Sequence, residues 1–128
     1  MRMRGSHQAC RLVFHLVWHT YRNVPMIRAL AVPIITDAMR QAARRTRSIV
    51  LAQAVLSDHV HLLIRCAPDT TVSGFVREAK SESSRRVGKI LQWQRGYFAD
   101  SISYSHVIAV RRYIASQFKR HPDKIPPG

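Results

Sequence analysis

Residues 12–20 read L-V-F-H-L-V-W-H-T, and Leu12, Phe14, Leu16 and Trp18 fall on one side of that run. A period of two in branched and aromatic residues predicts a strand. Residues 21–25 place Arg22 and Asn23 ahead of Pro25 and read as the loop leaving it. Over residues 34–45 the period changes. Ile34, Ile35, Ala38, Met39 and Ala42 recur at helical spacing while Arg40, Arg44 and Arg45 fall elsewhere, so an amphipathic helix with a basic end is expected. Residues 49–56 and 59–66 are two apolar runs parted by Ser57-Asp58, the pattern of an antiparallel hairpin with a short turn.

Phe75, Val76, Ala79, Val87 and Ile90 then repeat at mostly helical intervals, predicting a second helix over 71–90. Tyr97, Phe98 and Ile102 suggest a further strand over 96–103, introduced by the irregular Gln92-Trp93-Gln94-Arg95. Ser105 suits the N-cap of a last helix reaching about residue 119, stopped by His121-Pro122. Strand, helix, strand, strand, helix, strand, helix is the order of an α+β fold, with helices packed on an antiparallel sheet. A chain of 128 residues is the size of one domain, taken as residues 1–128. Residues 1–8 are expected to lie outside the fold, disordered or left by expression, and 122–128 to form a tail.

Charge narrows the possible partners. Twenty-one Lys and Arg stand against seven Asp and Glu, a formal net charge of +14. Such a surplus repels itself unless an anion neutralises it, and the excess of arginine, whose planar fork grips phosphate, favours nucleic acid over a merely solvated basic surface. No run approaches the roughly 18 apolar residues of a membrane helix, so no membrane partner is expected. Two cysteines, Cys10 and Cys66, without a signal peptide give no disulfide framework and suit a cytoplasmic protein.

Alternation in the strand over 59–66 projects His59 and His61 to the same side, with Cα atoms roughly 6.5–7 Å apart, close enough for two imidazoles to meet one divalent metal. A structural polar pair is the other reading. Cys66 has the opposite parity, which disfavours zinc bound through it, and Asp58 reads as a turn residue or an additional ligand. In the last helix Val107, Val110, Ile114 and Phe118 form an apolar stripe beside a strip of His106, Tyr113, Gln117 and Arg120. Tyr113 and Gln117 are thus neighbours one turn apart. Tyr113 could equally be an aromatic at the core edge, and Gln117 a solvated residue. Arg111 and Arg112 could receive phosphates or face water. Trp93, Tyr97 and Phe98, among Gln94 and Arg95, suit stacking on bases or core packing.

Three segments in order, Ser57-Asp58-His59-Val60-His61-Leu62-Leu63-Ile64, Trp93-Gln94-Arg95-Gly96-Tyr97-Phe98 and Tyr113-Ile114-Ala115-Ser116-Gln117, resemble the signatures of the single-tyrosine HUH transposases. These are the enzymes of the smallest bacterial insertion sequences (the IS200-like type) and the REP-associated tyrosine transposases. Residues 16–22, L-V-W-H-T-Y-R, also resemble that family's first strand and basic turn, so the likeness spans about residues 12–121. The chain departs at His19, where the family often has threonine followed by lysine and tyrosine, and in ending soon after the tyrosine helix.

The resemblance implies a ferredoxin-like, RRM-like HUH fold. It further implies His59, His61 and Gln117 as ligands of Mg²⁺ or Mn²⁺, and Tyr113 as a nucleophile that forms a 5′-phosphotyrosine intermediate. Single-stranded or hairpin DNA is the expected partner, met by Arg22, Arg85, Arg86, Trp93, Arg95, Arg111 and Arg112. A homodimer with composite active sites and a place with the nucleoid in the cytoplasm follow from the same likeness. Two other classes stay open: a catalytically silent nucleic-acid-binding domain derived from such a transposase, and a basic structural or ribosome-associated protein.

Overall fold

The computed structural model describes residues 12–128; residues 1–8 and Cys10 lie outside them. Strand β1, Leu12–His19, is followed by helix α1, Val32–Arg45, then by the hairpin of β2, Ile49–Val55, and β3, His59–Cys66. Helix α2, Val72–Val87, leads to strand β4, Phe98–Ile102, and the chain continues through α3, Val107–Ala115, and a single turn α4, Gln117–Arg120. The strands form one antiparallel sheet in the order β2-β3-β1-β4. With two βαβ crossovers this is the ferredoxin-like arrangement, and the fold class is α+β.

The sheet has a helix layer on each face. On one side Leu16, Trp18, Val60, Leu62, Ile64 and Cys66 pack with Ile35, Met39 and Ala42 of α1 and Phe75, Val76 and Ala79 of α2 in the main core. Burying these side chains supplies most of the stabilisation, at roughly 1.5–3 kcal/mol for each large one. On the other side α3 lays Val110 and Ile114 over Val13, Ala54 and Leu63. His59 and His61 point to this second side, and Cys66 to the first, as strand parity requires.

Several boundaries move from their expected places. Helix α1 starts two residues early because Pro33 sits in its first turn, where a missing N–H costs nothing. Helix α2 stops at Val87, since Gly88 takes φ 102 and ends the helical path; Ile90 is left exposed. Thr71 caps it by accepting Gly74 N–H at 3.0 Å. Leu56 leaves β2 to join the hairpin turn, and its N–H donates to His59 O at 2.9 Å. Ser105 is not a cap: a 3₁₀ turn, Tyr104–His106, precedes α3, whose N-cap is His106 without a side-chain bond.

The stretch expected to be one helix to residue 119 breaks at Ser116. Phe118, placed by helical spacing on the apolar stripe, is consequently half-exposed. The segment expected as a tail folds back instead. Lys124 O accepts Ser57 N–H at 2.8 Å and Pro127 O accepts Ala29 N–H at 2.7 Å, so these residues strap the hairpin turn to the segment before α1.

Candidate active site

Cross-strand register assembles the site. Val17 stands opposite His61 and His19 opposite His59, while His15 pairs with Leu63 on β3 and Asp100 on β4. His15 and His19 therefore share the face of His59 and His61. The His19 ring stacks on His59 with centroids 5.0 Å apart, and the His121 ring meets His59 edge-on at 6.5 Å. Five of the chain's seven histidines thus occupy one side of the sheet beneath α3 and α4.

His59 and His61 are both buried, with their Nε2 atoms 3.2 Å apart. His59 Nδ1 lies 2.7 Å from Asp58 Oδ1, and Lys124 Nζ lies 3.0 Å from Asp58 Oδ2. Burial pushes the Asp58 carboxyl up, but the bonds from His59 and Lys124 outweigh it and hold it below the usual carboxylate range. Ionised Asp58 fixes the His59 proton on Nδ1 and leaves the Nε2 lone pair free, as metal-binding imidazoles require. Asp58 thus does more than turn the chain.

Burial also lowers the imidazoles themselves. His61 is brought down to about 3, by desolvation first and then by the neighbouring His59, His15, His19 and His121. His59 is lowered by burial against the opposing pull of Asp58, and His15 by burial against Asp100. At neutral pH these rings are lone-pair donors and not cations. An unfolded imidazole titrates near 6.5, so below that pH the unfolded chain binds protons that the folded chain refuses. Stability should be complete above pH 6.5 and should fall as pH drops toward 3. His61 alone is expected to make the metal-free protein about 2 kcal/mol less stable at pH 5 than at pH 7.5. Urea unfolding at the two values checks this, and equal midpoints would contradict burial of a neutral imidazole.

Tyr113 reaches the same face from α3. Its ring meets His15 and His61 edge-on, each at 5.9 Å between centroids, and the Arg120 guanidinium lies 5.0 Å above it. Tyr113 is 40% exposed, so a substrate can reach it. Gln117 lies between Tyr113 and His121 in sequence and is fully buried, at 0% exposure. Its Nε2 donates to Tyr113 O at 3.2 Å, while its Oε1 has no hydrogen-bond partner among the described residues. A buried amide oxygen without a partner costs roughly 1–3 kcal/mol, and a cation would satisfy it. Among the described residues no three His, Cys, Asp or Glu side chains are arranged to hold a metal ion. Two neutral imidazoles and an amide carbonyl oxygen are donor types that a divalent cation accepts.

The basic and aromatic residues expected at DNA divide into two groups. Arg86 is held by Glu82 Oε2 and Asp37 Oδ2, each at 2.7 Å. Glu82 is buried where α1 meets α2, and hydrogen bonds from Arg45, Arg86 and Arg85 bring its carboxyl down to about 2. Arg85 also bonds Glu82 but stays largely exposed. Trp93 Nε1 donates to Ser83 Oγ at 2.9 Å and its ring packs edge-on against Trp18 at the edge of the core. Arg86 and Trp93 thus already have partners within the protein and stay partly exposed. Arg22, Arg95, Arg111 and Arg112 are exposed. Arg22 takes φ 54 and its N–H donates to Gln94 Oε1 at 2.9 Å, which ties the loop after β1 to the loop before β4.

Nothing local in the sequence marks His15 and His19 as site residues, although their odd positions in β1 place them opposite the core face. The missing information was the pairing that sets β1 beside β3. Lys124 carried no local signal at all.

The pattern that defines the family described as "Transposase IS200 like" matches residues 8–117. The chain is 27% identical to the ISDra2 transposase TnpA of Deinococcus radiodurans, over 89% of each chain. Among solved structures, one described as a transposase from Deinococcus radiodurans R1 superposes with TM-score 0.65 at 24% identity, over 84% of this chain and 91% of that one. A REP-associated tyrosine transposase bound to a REP hairpin superposes with TM-score 0.70 at 19% identity, over 87% and 68%. At these identities the two structures speak for the fold.

Proposed function

This chain belongs to the IS200-like transposase family, and on that premise we propose that it cuts and rejoins single-stranded DNA through a tyrosine-linked, metal-dependent step. The observation that carries the proposal is the buried Gln117 Oε1, which has no hydrogen-bond partner among the described residues and belongs to an amide bonded to the backbone of Tyr113, whose ring packs against His61. A bound ion is one way to satisfy such an acceptor.

His59, His61 and Gln117 would hold the ion. When bound, Mg²⁺ or Mn²⁺ would polarise a non-bridging oxygen of the scissile phosphate. Tyr113 Oη attacks the phosphorus, the bond to the 3′ oxygen breaks, and that oxygen leaves as a 3′-hydroxyl. The 5′ phosphate stays on Tyr113, so a second 3′-hydroxyl can attack it and restore a phosphodiester without an external energy source. Arg120, over the tyrosine ring, would set positive charge near the phosphate on which negative charge builds. Exposed Arg111 and Arg112 immediately precede Tyr113 on α3 and would meet the DNA backbone near the break.

Hairpin-flanked single strands are the substrate class this reading favours, since the REP-associated relative of the same fold is bound to a hairpin. Within one chain α3 already covers the histidines. A homodimer that exchanged α3 would rebuild the same set across two subunits, giving the composite sites that the family likeness implies. DNA as the partner would put the protein with the nucleoid.

Incubating the protein with single-stranded hairpin oligonucleotides and Mn²⁺ should give a covalent protein–DNA adduct on a denaturing gel, lost on chelation. Binding without an adduct on any substrate would favour the silent DNA-binding domain.

A further inference from the structure

His15 occupies the central strand and touches more of the site than its place in the sequence suggests. Its Nε2 is 3.0 Å from His61 Nδ1, and the two rings stack with centroids 5.2 Å apart at 19°. On its other sides it meets Phe98 of β4 and Tyr113 of α3 edge-on, at 6.4 and 5.9 Å. The ring is thus boxed in by three elements.

A neutral imidazole carries one proton, and each nitrogen of His61 faces another histidine: Nδ1 faces His15 and Nε2 faces His59. His59 has its proton assigned by Asp58. Among the described residues no carboxylate lies within hydrogen-bond distance of His61, so the atom that can take its proton away from the ligand side is His15 Nε2.

Resting on the metal-binding reading above, we propose that His15 is the positioning residue for His61. It accepts the Nδ1 proton of His61 and thereby turns the Nε2 lone pair toward the cation, the task that Asp58 performs for His59. His15 must then carry its own proton on Nδ1. Asp100, its cross-strand partner on β4, is the nearby anion that favours this arrangement. Two ligands are so oriented by two different devices, one ionised and one neutral, which keeps a second negative charge out of a site that must take a phosphodiester.

The test measures Mn²⁺ binding by electron paramagnetic resonance in the DNA-free protein, for wild type, His15→Phe and His15→Gln. Phenylalanine keeps the stack and removes the acceptor, whereas glutamine restores an acceptor without a ring. Wild type should bind, His15→Phe should bind about 10-fold or more weakly, as outer-sphere partners of ligating histidines usually do, and His15→Gln should recover most of the loss. Equal binding by wild type and His15→Phe would overturn the role of His15 while leaving the metal reading intact. No binding by wild type would overturn both. Long-range ¹⁵N spectra of the wild-type Mg²⁺ complex need no substitution: a His61 proton on Nδ1 is expected, and one on Nε2 would refute the proposal.

Discussion

Tyr113→Phe is expected to eliminate the covalent adduct and to lower cleavage of single-stranded DNA by at least about a thousandfold, because the attacking oxygen is gone and no neighbour replaces it. The ring contacts to His15, His61 and Arg120 need only the aromatic face and edge, so they survive the change. Stability should stay within about 0.5 kcal/mol of wild type, and affinity for an uncleaved hairpin should be unchanged. The same substitution at Tyr104 or Tyr97, both exposed, should leave adduct formation intact. Gel assays of adduct beside binding isotherms separate these outcomes. Reduced binding in step with reduced cleavage would mean that Tyr113 holds DNA instead of attacking it.

Gln117→Leu should change stability and activity in different directions. Leucine fills nearly the same volume, gives up the bond from Nε2 to Tyr113 O, and removes an acceptor that is buried without a partner. The lost bond is worth about 1 kcal/mol and the orphaned oxygen costs about 1–3 kcal/mol, so the metal-free variant should be as stable as wild type or slightly more so. Mn²⁺ affinity should nevertheless fall about 10-fold or more and adduct formation with it. A site that binds and reacts at the expense of stability behaves in this way. If Gln117→Leu instead unfolded the protein while Mn²⁺ affinity held, Gln117 would be a packing residue and no ligand.

Much of this was legible where the evidence is local. Period-two alternation locates β1, two apolar runs parted by Ser57-Asp58 locate the β2–β3 hairpin, and strand parity puts His59 and His61 on one side with Cys66 on the other. Helical spacing found Ile35, Ala38, Met39 and Ala42 as the buried face of α1. What failed to show in the sequence depends on tertiary pairing. Nothing local says that Val17 lies opposite His61, and without that register His15 is just another polar position in an apolar strand. The break at Ser116 was equally hidden: the Gln117 side-chain amide takes the Tyr113 carbonyl at the point where the helix is interrupted. Lys124 reaches Asp58 only because the chain folds back from α4, a path set by the hairpin turn it crosses. Composition likewise does not distinguish an arginine held by two carboxylates, as Arg86 is, from one facing water.

The central claim is that the tyrosine packed on the histidine face is the attacking group and that it acts with a metal. Mass spectrometry of a tryptic digest, after reaction with a single-stranded hairpin oligonucleotide in Mn²⁺ and nuclease trimming, tests it directly. The account predicts a nucleotide phosphate on the peptide containing Tyr113, absent when the ion is chelated. The same mass on a peptide containing Tyr21, Tyr97 or Tyr104, or an adduct at Tyr113 that persists in excess chelator, would contradict it.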